Sequence, residues 1–119
     1  MKRVEDLKVY KKALNFSVTI YKFIFEKSFN NNIKNQIQRT TLSIPLNITE
    51  GFELQSNRQF VKFLYISKGA NIEGRSLYRI CEELYILEKN TVFTLINEVE
   101  DISKQLSKFI NFLKNSNID

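Results

Sequence analysis

The chain has 119 residues, a formal net charge of +5, no histidine, one cysteine, three glycines and one proline. Its length suits one domain, 1–119, and an apolar fraction of 43% with so little Gly and Pro excludes disorder in favour of long regular elements. Without histidine the usual near-neutral general base and the commonest metal ligand are gone, and Cys81 alone excludes a disulfide framework or a multi-cysteine zinc cluster. The chain therefore reads as a non-enzyme with no catalytic residues, metal or cofactor. The basic N-terminus has no signal-peptide core and no apolar run reaches membrane-spanning length, so a cytoplasmic protein is expected.

The spacing predicts a first helix over about 5–26. Leu7, Tyr10, Leu14, Ser17, Tyr21 and Ile24 recur every three or four residues, as one face against neighbouring helices would. Lys8, Lys11, Lys12 and Lys22 fall on one side, and residues 1–28 carry seven Lys or Arg against three acidic groups. Such a stripe is either a solvated face or a contact for a polyanion. Residues 27–32 read as a connection of turn-forming asparagines, with Phe29 as a plug.

A second helix is expected over 33–50, with Gly51 beyond its end. Thr41, Ile44 and Ile48 continue the core rhythm, while Ser43, Asn47 and Glu50 share a polar side. That strip is either a hydrogen-bonded structural network or a ligand contact. Pro45 cannot donate its N–H and crowds the Thr41 carbonyl. Either the helix bends there or a new one starts with Ser43 as cap; the unbroken rhythm favours the bend.

The third helix is expected over 56–87, opened by Ser56 and Gln59 as a capping box. Its best register takes Phe60, Phe63, Ser67, Ala70, Gly74, Leu77, Cys81 and Leu84, with the small residues admitting a close neighbour. Tyr65, Ile66, Ile72, Ile80 and others are too many apolar residues for one face, so coverage on two sides is expected. Helix four, 91–114, has the clearest seam: Val92, Leu95, Val99, Ile102, Leu106, Phe109 and Leu113. The tail NSNID should fray. The whole is an all-α, antiparallel, up-down-up-down, left-handed four-helix bundle with helix two bent at Pro45.

Phosphate contact needs repeated cations on one surface. Helix three offers Arg58, Lys62, Lys68, Arg75 and Arg79, which with Lys8, Lys11, Lys12 and Lys22 would make a basic band if helices one and three present those faces together. No helix-turn-helix, zinc finger or stacking platform is legible, so such binding would be driven by charge and shape.

The pieces DLKVYKKAL at 6–14, QIQRTTLSIPLNITEGF at 36–52 and QFVKFLYISKGANIE at 59–73, with the closing heptads of helix four, are specific in combination. They resemble the 23S ribosomal RNA intervening-sequence proteins, a family that includes accessory proteins of diversity-generating retroelements. The resemblance implies a left-handed antiparallel four-helix bundle that assembles into a homo-oligomeric ring, most characteristically a pentamer. For the retroelement relatives it implies basic rings that bind RNA or DNA and a reverse transcriptase. The motif positions carried over are Arg39, Ser43, Pro45, Asn47, Glu50 and Gly51. Thr49 stands where the family commonly has Ala, and the family commonly has a small residue and a second arginine region around Arg39, whereas here Gln38 precedes it and Thr40 follows it. The leading expectation is a ring-forming scaffold that binds nucleic acid through basic helix faces. The alternative is a structural or protein-binding bundle with no nucleic-acid role.

Overall fold

The computed structural model describes residues 3–28 and 30–116, so Phe29 and the last three residues of the tail lie outside the described residues. Four helices, α1 (Lys8–Phe25), α2 (Asn31–Glu53), α3 (Asn57–Glu83) and α4 (Lys89–Lys114), form a bundle 49 × 20 × 19 Å. A 3-10 turn over Val4–Asp6 precedes α1, so the first helix begins later than its periodicity suggests. The most extensive packing joins α2 to α3, then α3 to α4 and α1 to α2, while α1 and α4 are the most loosely packed of the four neighbouring pairs.

The helix ends follow local chemistry. Asn30 caps α2, its side-chain oxygen accepting from the Asn32 and Ile33 N–H groups at 2.8 and 3.2 Å. The asparagine run is thus a start signal as much as a turn, and the helix opens at Asn31. Ser56 caps α3 by accepting from the Gln59 N–H at 3.4 Å, as the capping pattern predicts. Beyond α3, Tyr85 takes the left-handed conformation (φ 58°) while the Ile86 N–H returns to the Cys81 carbonyl at 2.8 Å. That is a Schellman closure with tyrosine in the place glycine usually fills. Gln55, after α2, has the same φ of 58°.

The core departs from the predicted faces in an instructive way. In α1 the buried residues are Val9, Ala13, Phe16, Ser17, Ile20 and Ile24, not the Tyr10, Leu14 and Tyr21 of the expected face. Two apolar registers lie side by side on this helix. The one without tyrosines went inside, leaving Tyr10 half-buried and Tyr21 exposed. In α3 the buried set is Phe60, Leu64, Ser67, Asn71, Gly74, Tyr78 and Cys81, so every second position of the expected register moves by one. Asn71 hid that seam. Its amide nitrogen donates to the Val99 carbonyl at 2.7 Å and to the Ser103 hydroxyl at 2.9 Å, while its Oδ1 has no hydrogen-bond partner among the described residues. In α4 the seam holds, with Phe109 half-buried, Ile96 and Ile110 added to the core, and Phe112 exposed.

Candidate functional site

The proline-containing stretch lies wholly inside α2, which runs on through Pro45 and Gly51 to Glu53. Gly51 is therefore not a helix terminator. A Cβ there would lie 2.8 Å from both Phe60 Cδ1 and Phe63 Cβ, so glycine is what lets α3 approach. Gly74, where a close approach was expected, is buried but leaves ordinary contact distances of 3.8–3.9 Å to Tyr78 and Thr40.

Pro45 leaves the Thr41 carbonyl without its usual helical donor. The buried Ser17 hydroxyl of α1 supplies one at 2.9 Å. This explains a serine on the core face of α1. A second serine, Ser67 of α3, donates to the Ile44 carbonyl at 2.8 Å, and the Thr41 hydroxyl donates to the Ile37 carbonyl at 2.7 Å. The buried polar network is thus built from Ser17, Thr41, Ser67 and Asn71. Ser43 and Asn47 are half-buried and bonded within α2, the Asn47 amide donating at 2.8 Å to both the carbonyl and the hydroxyl of Ser43. Glu50 and Arg39 are exposed, the guanidinium donating to Gln36 at 2.8 Å. Helical spacing placed Ser43, Asn47 and Glu50 together but pointed away from the network that matters; the serines facing the proline were its missed signal.

Tyr78 packs beside Thr40 and Gly74, and burial pushes its phenol up to about 12, the Thr41 hydroxyl offsetting part of that. Burial likewise raises the Cys81 thiol, which is fully enclosed and unsuited to attack as a nucleophile. Among the described residues no three or more His, Cys, Asp and Glu side chains stand where they could share a metal ion.

The expected basic band does not assemble. α1 packs against α2 and α4, α3 against the same two, and α1 and α3 do not touch, so their cations lie on different sides. Lys12 turns to α4, where its ammonium lies 2.8 Å from Asp101 and 3.3 Å from Glu98. The hydrogen bond to Asp101 chiefly raises the Lys12 pKa, and the same bond holds the Asp101 carboxyl below its ordinary value. Arg75 pairs with Glu100 at 3.9 Å and Arg79 with Glu82 at 3.3 Å. Lys68 is half-buried, while Arg58 and Lys62 are exposed at the start of α3. Lys8, Lys11 and Lys22 remain as an exposed stripe on α1.

What the surface does carry is apolar. Leu14, Val18 and Tyr21 of α1 face Leu42 and Leu46 of α2 across an open groove of about 450 Å³, floored by Ser17 and Pro45. On the far side of α3 from its core face, Tyr65, Ile66, Ile72 and Ile80 are also exposed, and Leu84, expected to close the seam, is exposed just past the helix end. No helix of the described residues is long and apolar enough to cross a membrane.

A family model described as 23S rRNA-intervening sequence protein matches residues 5–108. Among solved structures, a protein of unknown function from the S23 ribosomal protein family of Bacteroides thetaiotaomicron VPI-5482 is similar, with 27% identity and a TM-score of 0.79. The match covers 86% of this chain and 97% of that one. No match was found among curated proteins.

Proposed function

Since the chain belongs to the 23S rRNA-intervening sequence protein family, we propose that it is a non-enzymatic cytoplasmic scaffold that assembles into a ring and holds RNA by its phosphates. The observation that carries the assembly is the pair of exposed apolar surfaces, one between α1 and α2 and one on the outside of α3. Single exposed leucines are ordinary, but grouped ones on two separate faces favour contact with other chains. Two unlike faces suit a head-to-tail contact, which closes as a ring, a pentamer in this reading.

The bundle is read as antiparallel and left-handed with α2 bent at Pro45. Support for the antiparallel sense comes from contacts that step in opposite directions: Ser17 with Thr41 and Phe25 with Lys34, then Ile44 with Ser67 and Thr40 with Glu73. The RNA contact is assigned to Lys8, Lys11 and Lys22, whose stripe a ring repeats once per copy, so that weak phosphate contacts add through multivalency. The family description supports RNA over other polyanions. A reverse transcriptase is the narrower partner assignment, and a retroelement beside the gene would make it the first to test.

The experiment is a titration with a structured RNA at several salt concentrations. Binding should weaken steeply as salt rises, and replacing Lys8, Lys11 and Lys22 by glutamine should flatten that slope. Absence of binding at low salt would favour the second reading, a protein-binding bundle without a nucleic-acid role. The observation behind that reading is the pairing of Lys12, Arg75 and Arg79 with carboxylates of their own chain.

A further inference from the structure

Resting on the ring reading, we propose that the outer face of α3 in one copy docks beside α2 over the α1–α2 groove of the next copy. In that contact Arg39 meets Glu73 of the neighbour, and Glu50 meets its Lys62.

The outer face of α3 presents Lys62, Ile66, Gly69, Glu73 and Ile80 at helical spacing, all exposed. Gly69 is the telling residue. A glycine inside an exposed helix costs about 1 kcal/mol relative to alanine. Yet a Cβ at Gly69 would meet nothing within 4 Å, so no neighbour within the chain requires its absence. A helix approaching closely from outside would. The outer face of α2 presents Arg39, Leu42, Leu46 and Glu50, also all exposed, with Leu42 and Leu46 on one bank of the groove. Leu46 is 63% and Ile66 52% exposed, the values of side chains awaiting cover rather than packed at a rim.

Charge order fixes the direction. On α2 the cation Arg39 precedes the acid Glu50 by eleven residues, and on α3 the cation Lys62 precedes the acid Glu73 by eleven. At the helical rise each pair spans about 16 Å. Laid in opposite directions, the two faces bring each cation to an acid, place Leu46 on Ile66, and bring Leu42 to the gap at Gly69. Laid in the same direction, they would set like charge against like. None of these four groups forms a salt bridge among the described residues.

Register fixes the closure. Within one chain Ser67 reaches Ile44 across the inner faces of α2 and α3, and the Thr40 hydroxyl donates at 3.5 Å to one carboxylate oxygen of Glu73, which is exposed at the rim. The outer contact aligns Arg39 with Glu73 and Leu46 with Ile66, which is the same register to within about one residue. The neighbour's α3 therefore sits at the same height along the bundle as the chain's own α3. Rotation without translation is what a closed ring requires, whereas an offset would build a filament.

Light scattering on the full chain tests this with Gly69→Gln, Arg39→Glu, Glu73→Arg and the double reversal Arg39→Glu/Glu73→Arg, each checked for helical signal and melting. The expected result is an assembled wild type, smaller particles for all three single variants with helical content intact, and wild-type mass regained by the double reversal. Wild-type mass in every single variant would overturn the docking while leaving the ring reading standing. So would folded single variants that the double reversal fails to rescue, because the register would be wrong. A wild type of single chains would overturn both.

Discussion

The two faces of α2 make opposite uses of the same helix. Its inner face, Ile37, Thr41, Ile44, Pro45, Ile48 and Gly51, is buried, and the carbonyl that Pro45 leaves open is filled by Ser17. Its outer face, Arg39, Leu42, Leu46 and Glu50, is exposed. The stretch RTTLSIPLNITEG is thus two interleaved messages, one addressed to the chain itself and one to its surroundings. Changes on the inner face should lower the stability of the single chain. Changes on the outer face should leave that stability alone and act on association.

The largest expected effect is at Gly51. Gly51→Val places methyl groups where Phe60 and the Cβ of Phe63 already lie, and the latter is fixed to its backbone. A loss of about 2–3 kcal/mol is expected in chemical denaturation, against a gain of up to about 1 kcal/mol for Gly69→Ala on the outer side of α3, where a Cβ meets nothing within the chain. Equal losses would erase the distinction between the faces.

Next is the pair Ser17 and Pro45. Ser17→Ala should cost about 1–2 kcal/mol by stranding the buried Thr41 carbonyl. In a Pro45→Ala background residue 45 regains an N–H for that carbonyl, so the same substitution should cost only a few tenths. Equal cost in both backgrounds would show that the serine serves something other than the proline.

The smallest effect lies at the thin α1–α4 contact. Lys12→Met should cost less than about 1 kcal/mol, because both carboxylates are about half exposed and water screens the bridge. Its pH dependence has a definite sign. Lys12 has its pKa raised, so its contribution is complete below the ordinary lysine range and lost as pH rises through the raised value. Asp101 has its pKa lowered, so its contribution is complete above the ordinary carboxylate range and lost as pH falls through the lowered value. The difference between wild type and variant should therefore be flat between those limits and shrink at both ends.

Much of this was legible in the sequence, for reasons that differ by helix. α4 has one apolar register, so its seam reads off directly, and Ser56 marks the start of α3 by cap chemistry alone. α1 carries two apolar registers of similar strength, and only the neighbouring helices decide which goes inside. In α3 a buried asparagine made the true seam look polar, because its partners Val99 and Ser103 are 28 and 32 residues away. The pairing of Ser17 with Pro45 was hidden for the same reason, being a contact between helices rather than a local pattern. The basic band failed on topology: residues with similar composition on α1 and α3 are separated by the helices between them.

The most direct measurement is the mass of the wild-type particle by light scattering across a broad dilution series. A particle of about five chains is expected, its mass steady on dilution and the outer faces of α2 and α3 covered. A single chain of 14.1 kDa at every concentration would contradict it, leaving those faces bare in solution.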